Sequence, residues 1–338
     1  MPIRYLITGA TGFVGGHIAE AAVARGTACR ALVRPTSDAK FLESLGVRVE
    51  RGELSDIELL HKLAEETDVV VHCAAKVGDS GSVEEYRPVN VEALRNLLEA
   101  CKGRPLQRFI HMSTLGVYEA RHHYGTDETD PLPASHIDAY TQTKVEADQL
   151  ALAYYREHGV PVVLLRPGFV YGPRDRAVMP RLFARLKGGR VHYLGAGNYI
   201  LNCIYIDNLV EAVFLAADNP RAVGNAYNLT DGEPVTKRRF LQGITDAMAY
   251  ERPHQLLPPR LARLVARMLW RQIRRASAAG RKPWLTPAQF KFLLLNLDFS
   301  IEKARRELGY RPVVSFEEGF RRTIAWYQKN AQCAGTEG

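Results

Sequence analysis

Features typical of secreted, membrane and metal-binding proteins are missing from this 338-residue chain. Its five cysteines are scattered and form no Cys-x-x-Cys pair, which argues against a disulfide framework or a zinc site. No uninterrupted apolar run approaches the ~18 residues that a membrane-spanning helix needs. No basic and then apolar segment precedes the first strand-like run, so no signal peptide is expected. These absences predict a cytoplasmic globular protein with reduced, mostly buried thiols and no bound metal.

The chain is basic, with a formal net charge of +8 at pH 7. A positive charge can attract nucleic acid or anionic membranes. Much of it comes from one segment, 258–275, and no recognisable nucleic-acid-binding fold surrounds that segment. The charge therefore predicts no nucleic-acid partner.

Short apolar runs alternate with helical patterns in the first half of the chain. The runs are rich in Val, Ile and Leu and do not alternate with polar residues, which is typical of a parallel sheet buried on both faces. They are IRYLI, ACRALV, VRVER, DVVVHCA, RFIHMS and PVVLLR. The pattern predicts an α/β fold with a Rossmann-type doubly wound parallel sheet over 1–172, completed by returning chain. A smaller α/β substrate-binding region is expected over 173–330 and a disordered tail over 331–338.

The strongest local motif is ITGATGFVGGHIAE, which places Gly9, Gly12 and Gly15 between a strand and a helix. Glycines let the backbone turn tightly and approach a pyrophosphate, and the helix N-terminus presents N–H groups to it. The alternative is a strand–helix turn whose glycines serve packing alone. The strand before the motif and the helix after it favour a dinucleotide site.

The end of the second strand bears on the choice of cofactor. NAD sites usually carry an acidic residue there, about 20 residues past the glycines. Here the strand runs into Arg34, Pro35, Thr36 and Ser37. A guanidinium and two hydroxyls suit the 2′-phosphate of NADP(H), although a solvated arginine at a strand end is the alternative.

Tyr140 and Lys144 stand four residues apart in the stretch YTQTK, a spacing that places both on one helix face. A phenol with a pKa near 10 is a poor base at neutral pH, and a cation one turn away would lower that pKa. Ser113 and Thr114 follow a predicted strand and supply hydroxyls for a substrate oxygen. An ordinary surface tyrosine and lysine is the alternative, but the nucleotide turn upstream favours acid–base chemistry.

With these motifs the chain resembles the extended short-chain dehydrogenase/reductases of the NAD-dependent epimerase/dehydratase superfamily. TGATGFVG, HCAAK, STLGVY, YTQTK and RPGFVYGPRD occur in the family's order over nearly the whole chain. The resemblance implies that Tyr140 is the catalytic acid/base, Lys144 its pKa-lowering and ribose-binding partner, and Thr114 the substrate-binding hydroxyl. With the residues argued above, the cofactor site then comprises Gly9, Thr11, Gly12, Phe13, Val14, Gly15, Arg34, Ser37, Glu53, Leu54, Ala74, Ala75, Lys76, Asn90, Ser113, Tyr140, Lys144, Pro167, Gly168 and Val170.

Two of these positions need comment. The family usually has Asp where this chain has Glu53. Asn90 resembles the family's site-supporting asparagine, and a helix N-cap is the alternative. The family also implies a homodimer that pairs helices near 91–103 and 139–157.

The C-terminal half resembles the branch of 3-beta-hydroxysteroid dehydrogenases and sterol-4-carboxylate 3-dehydrogenases, and also bacterial reductases of long-chain 2-alkyl-3-ketoacids. GNYILNCIYIDNLVEAVFLA, GNAYNLTDGEPV and ARRELGYRP carry this likeness. The chain is thus expected to be an NADP(H)-dependent oxidoreductase that interconverts a ketone and a secondary alcohol on a steroid, sterol or long-chain lipid. A sugar-nucleotide epimerase or dehydratase is one alternative, and a non-catalytic dinucleotide sensor is another.

The basic segment 258–275 predicts an amphipathic helix able to lie at a membrane surface. An ordinary surface helix packed on the domain is the alternative. The apolar residues WLTPAQFKFLLLNLDFS, which follow, are expected in the core or in the wall of a lipid-shaped pocket. The helix carries an apolar stripe and a basic stripe, formed by Leu261, Leu264, Val265 and Met268 and by Arg260, Arg263, Arg267, Arg271 and Arg274.

Overall fold

A computed structural model describes residues 2–78, 81–278 and 285–335. At its centre lies a seven-stranded sheet in which every pairing is parallel, which confirms the predicted fold class. The strands are β1 (Arg4–Thr8), β2 (Ala28–Val33), β3 (Arg48–Arg51), β4 (Val69–His72), β5 (Arg108–Met112), β7 (Val162–Pro167) and β11 (Ala226–Leu229). Their spatial order, β11-β7-β5-β4-β1-β2-β3, shows that returning chain adds the edge strand β11.

Helices cover both faces of this sheet. One face packs under α3 (Ile57–Glu65), α5 (Ala93–Cys101) and α6 (Ala139–His158), with Leu98, Phe109 and Leu164 in the core between them. The other face packs under α1 (Phe13–Ala24) and α8 (Ile206–Asp218). The central strands β4 and β7 are mainly apolar because both of their faces are buried, whereas the edge strand β3 is charged and partly exposed.

The remaining elements are short strands and helices. Three pairs of short strands, β10 with β8, β12 with β9 and β13 with β6, lie outside the main sheet. These strands are β6 (His123–Thr126), β8 (Phe169–Tyr171), β9 (Ile200–Leu201), β10 (Cys203–Tyr205), β12 (Val235–Thr236) and β13 (Leu297–Phe299). The helices are α2 (Lys40–Ser44), α4 (Val83–Arg87), α7 (Met179–Lys187), α9 (Lys237–Ala247), α10 (Pro259–Ala278), α11 (Pro287–Leu294), α12 (Glu302–Leu308) and α13 (Phe316–Gly335).

Two predicted boundaries differ from the observed ones. The helix expected near 91–103 begins at Ala93 and is preceded by a wider helical turn over Pro88–Glu92. The tail expected to be disordered over 331–338 continues α13 as far as Gly335, since no proline or earlier glycine interrupts its last turns. Residues 336–338 of that tail lie outside the described residues.

Among the helices that the structure describes, none combines the length and the apolar content needed to cross a membrane. The amphipathic helix predicted over 258–275 is observed as α10.

Candidate active site

The glycine turn sits between β1 and α1 and has no room for side chains. Gly9 adopts a left-handed backbone conformation with φ of 69°. A Cβ on Gly9 would lie 2.7 Å from the backbone nitrogen of Ala74, and one on Gly15 would lie 2.4 Å from the Gly9 oxygen. These short distances show that the turn lies directly against the backbone that follows β4. The cradle they form is one that only glycine permits.

The N-terminus of α1 is left open by this turn. Gly12 is the N-cap, no side chain caps the helix, and the first turn carries no acidic residue. Free N–H groups at a helix N-terminus bind phosphate. At the end of β5, Ser113 is buried, and its Oγ has no hydrogen-bond partner among the described residues. An open helix end and an unsatisfied buried hydroxyl fit a dinucleotide at this edge of the sheet.

Arg34 and Ser37 occupy the turn after β2, as predicted. Arg34 is exposed and forms no ion pair within the described part of the chain. Arg51, at the end of β3, lies opposite Val33, the last residue of β2. Its guanidinium donates to the carbonyl oxygens of Pro35 and Ser37, both at 3.1 Å. Sequence analysis missed Arg51, although two neighbouring parallel strands that end together place it beside Arg34.

Thr114 begins the short helical turn Leu115–Val117 that follows β5. Its Oγ1 accepts a hydrogen bond from the Gly116 nitrogen at 3.1 Å, which leaves the hydroxyl proton free to be donated. A Cβ on Gly116 would lie 3.0 Å from Cγ2 of Thr141, so this turn packs against the start of α6. The turn that Thr114 begins therefore contacts Thr141, the residue after Tyr140, through Gly116.

Tyr140 and Lys144 lie on the first turns of α6. Lys144 is buried, and its Nζ donates to the Met112 oxygen at 2.5 Å. Burial lowers the pKa of Lys144 to about 8, although Asp148 opposes the shift. The pKa of Tyr140 is raised, first by burial and then by Asp138 and Asp148. Burial, the largest cause of the Tyr140 shift, opposes the lowering expected from Lys144, whose ammonium donates to a carbonyl oxygen.

Asp138 caps the helix that carries Tyr140. Its Oδ1 accepts from the Thr141 nitrogen at 2.8 Å, and its Oδ2 accepts from Lys291 Nζ at 2.7 Å. Burial alone would raise the pKa of Asp138, but Lys291 and His136 bring it down to about 2. Asp138 is therefore a carboxylate at neutral pH. Sequence analysis missed this ion pair, since Lys291 lies 153 residues further along the chain.

Asn90 is not a helix N-cap, and its side chain links two segments that border the site. Its Oδ1 accepts from the Lys76 nitrogen at 2.7 Å. Its Nδ2 donates to the Lys76 oxygen at 3.2 Å and to Thr143 Oγ1 at 3.0 Å. The side chain therefore joins the loop after β4 to α6. The Lys76 ammonium turns to Glu85 Oε2, 3.2 Å away.

The chain between β7 and β8 contains Pro167, Gly168 and Val170. A Cβ on Gly168 would lie 1.7 Å from the Asn202 oxygen, and Phe169 donates its N–H to the same oxygen at 2.8 Å. Backbone from the second half of the chain therefore fills the space beside Gly168. Val170 is half-buried.

The other predicted cofactor residues lie in loops along this side of the sheet. Ala74 and Ala75 follow β4 and are half-buried, and Glu53 is exposed after β3. The Leu54 oxygen accepts from Asn96 Nδ2 at 3.0 Å. The glycine turn also contains Thr11, Phe13 and Val14.

An apolar cluster packs near the start of α6. We call it the α10–α11 cluster, and its buried centre is formed by Ile273, Phe290, Leu294 and Leu295. Ile137, three residues before Tyr140, packs against it together with Ala120, Leu269 and Trp270. On the other side of α11, the Phe292 ring lies 5.5 Å from the Phe169 ring.

Residues 5–230 match the NAD dependent epimerase/dehydratase family. The chain belongs to this family. The open helix end and the glycine cradle described above agree with the family's cofactor, a nicotinamide dinucleotide. The predicted family resemblance is confirmed.

Three relatives are similar to the chain over almost its whole length. A 4-hydroxy-2-methyl-3-oxo-4-farnesyl-3,4-dihydroquinoline-1-oxide ketoreductase from Stigmatella aurantiaca is 32% identical over 94% of each chain. A 2-alkyl-3-oxoalkanoate reductase from Stenotrophomonas maltophilia is 33% identical over 96% of this chain and 99% of the relative. A 3-beta-hydroxysteroid dehydrogenase from Mycolicibacterium neoaurum is 31% identical over 96% and 91%. Like these family members, the chain is an NAD(P)-dependent oxidoreductase.

The fold is also similar to a solved structure. The crystal structure of gox2253 superimposes with a TM-score of 0.81 at 26% identity, covering 97% of this chain and 98% of the other. The smaller C-terminal region is therefore shared along with the sheet.

Proposed function

We propose that this protein reduces a ketone to a secondary alcohol, or oxidises the alcohol, on a large apolar substrate, with NADP(H) as cofactor. The observation that carries this proposal is the position of the α10–α11 cluster. Ile137, three residues before Tyr140, packs against this cluster, so apolar side chains lie at the start of the helix that carries the acid/base. The three relatives, two reductases of oxo compounds and a hydroxysteroid dehydrogenase, support the same class of substrate.

The residues of the site divide the reaction between them. The nicotinamide supplies a hydride when it is bound. The Thr114 hydroxyl donates a hydrogen bond to the substrate oxygen and orients it, while keeping its own proton. Tyr140, kept protonated by burial, gives its phenolic proton to that oxygen as the carbonyl carbon is reduced. The Lys144 cation stabilises the phenolate that forms, and a proton from solvent restores the phenol.

The turn after β2 supports NADP(H) over NAD(H). The residue after the strand is Arg34, where an NAD site has an acidic side chain. Arg51 fixes the same turn through the oxygens of Pro35 and Ser37, and its guanidinium lies 3.6 Å from a carboxylate oxygen of Glu43. The nearby carboxylate of Asp38 is engaged by backbone, since it accepts from the Lys40 nitrogen at 3.0 Å. The Arg34 guanidinium, unpaired among the residues that the structure describes, and the Ser37 hydroxyl, on a turn that Arg51 holds in place, suit a doubly charged phosphate.

Helices α5 and α6 are the surfaces that we propose for a homodimer. They pack side by side on one face of the sheet, with Leu98 and Ala151 in the core below them. Sedimentation velocity of the purified protein would test this proposal, and a monomer at micromolar concentration would contradict it.

The function is tested by incubating purified protein with NADPH and a panel of ketones while following the absorbance of reduced nicotinamide. The panel contains a 3-ketosteroid, a long-chain 2-alkyl-3-ketoacid and a short water-soluble ketone. We expect oxidation of NADPH with an apolar ketone. A UDP-sugar is added as a separate sample. A new UDP-sugar product without net change in nicotinamide would replace this proposal by an epimerase.

A further inference from the structure

The positive charge of the chain is concentrated in one C-terminal segment. Residues 252–297 contain ten Lys and Arg and no Asp or Glu, out of 45 and 37 in the whole chain. The rest of the chain therefore has 35 basic and 37 acidic residues and is slightly negative. The net charge of +8 thus arises entirely within this segment, most of which is α10 and α11.

Helix α10 presents an apolar strip to solvent. Leu261, Leu264 and Met268 are 46%, 53% and 52% exposed, and their spacing places them on one face of the helix. The opposite face is the one that packs on the protein, through Ala262, Ala266, Leu269 and Ile273. Three of the four residues of the predicted apolar stripe are thus exposed and Val265 is half-buried, which argues against an ordinary surface helix that buries its stripe on the domain.

Exposed arginines border this strip. Arg260, Arg267, Arg271 and Arg274 are exposed and follow each other at helical spacing on one side of it. Each of them lacks a carboxylate partner within the part of the chain that the structure describes. An apolar strip edged by unpaired arginines matches a bilayer with anionic headgroups, where the strip enters the interface and the guanidinium groups meet phosphate.

A second copy of the chain suits this surface less well. A twofold interface would place the same patch against itself, so that the arginines of α10 would face one another. No acidic side chain in 252–297 could separate them. We propose that α10 is a docking surface for anionic lipid bilayers.

The opposite face of α10 joins this surface to the active site. The Trp270 ring stacks on Phe290 of α11, with ring centres 4.8 Å apart. The next residue of α11, Lys291, holds Asp138 at the start of the catalytic helix. A protein docked through α10 would therefore keep Tyr140 close to the bilayer, one helix away from the contact.

The experiment is co-sedimentation with vesicles made of equal parts phosphatidylglycerol and phosphatidylcholine, beside vesicles of phosphatidylcholine alone. No ketone or nicotinamide is present, so the result does not depend on the proposed reaction. We expect the protein to pellet with the anionic vesicles, to pellet less as salt rises, and to remain in solution with the neutral ones. Arg267→Gln with Arg271→Gln should weaken vesicle binding about 30-fold, about fivefold for each arginine removed.

A matched control removes the same charge at the same helical spacing elsewhere. Arg181 and Arg185 are exposed on α7, and R181Q with R185Q should bind vesicles as the wild type does. Leu264→Asp should abolish binding while leaving turnover of a soluble ketone unchanged. Equal losses in both arginine pairs would reduce the effect to net charge and overturn the proposal. So would failure to bind anionic vesicles, a dimer that Leu264→Asp dissociates, or binding of duplex DNA tighter than that of the vesicles.

Discussion

Lys291 Nζ lies 2.7 Å from Oδ2 of Asp138, the residue that caps helix α6 two positions before Tyr140. Both side chains are mostly buried, with 14% and 12% of their surfaces exposed. The pair joins the C-terminal region to the helix that carries the acid/base. Asp138 is also the second cause, after burial, of the raised pKa of Tyr140, and Lys291 balances its negative charge.

Replacing Lys291 by Met should lower both stability and turnover. The buried Asp138 carboxylate would lose its charged partner, and we expect the free energy of unfolding to fall by about 2 kcal/mol. Displacement of the α6 start should reduce kcat by about tenfold with little change in the KM for NADPH. Chemical denaturation and steady-state kinetics measure the two effects. The variant D138N keeps an oxygen for the Thr141 nitrogen, so K291M with D138N should regain most of the lost stability. Strictly additive losses would contradict the ion pair.

Tyr140→Phe should remove turnover and spare cofactor binding. The phenolic proton is lost while the ring and the packing remain, so kcat should fall at least about 100-fold. NADPH affinity, measured by fluorescence titration, should stay at the wild-type value. The control is Tyr124→Phe, because Tyr124 is 73% exposed and lies outside the site. Wild-type turnover in the Tyr140 variant would end the assignment.

Arg34→Asp should discriminate between the two nicotinamide cofactors. Loss of a charge-assisted contact to the 2′-phosphate should raise the KM for NADPH about 10- to 100-fold, with a far smaller effect on NADH. The control is Arg48→Asp, which makes the same charge change at the first residue of β3, the end of that strand away from Arg34. It should leave the ratio of the two KM values unaltered. An unchanged ratio in the Arg34 variant would refute the 2′-phosphate site.

The rate of ketone reduction should depend on the charge of Lys144. Its pKa is lowered to about 8, so the cation is present below that pH and is lost as the pH rises through it. Tyr140 keeps its proton over the same range because its pKa is raised. We therefore expect kcat/KM to be level below about pH 8 and to fall above it. A guanidinium does not titrate in this range, so residual activity of Lys144→Arg should lack the decline. A wild-type profile that is flat to pH 10 would be inconsistent with this role.

Local spacing made the glycine turn and the Tyr140–Lys144 pair predictable, because each motif lies within one strand–turn–helix unit or one helical turn. The Asn90 alternatives could not be separated in the same way. Its bond to Thr143 Oγ1 spans 53 residues, and only the packing of α6 over the wide turn shows that it supports the site.

Long-range contacts and burial explain what sequence reasoning missed or misjudged. Lys291 meets Asp138 across 153 residues, and no pattern in the chain points from one to the other. The direction of the Tyr140 pKa shift depends on how deeply the phenol is enclosed, which residue types alone do not give. Arg51 is different, because the adjacency of β2 and β3 could have placed it beside Arg34.

The contact between Gly168 and the Asn202 peptide has a consequence for protein engineering. The oxygen of Asn202 stands where any side chain at 168 would begin, so the two halves of the chain meet here without tolerance for a larger residue. A chimera that exchanges the substrate region for that of a relative would have to carry both partners over unchanged. Crossover points placed away from this contact should yield folded hybrids, whereas a junction that alters it should not.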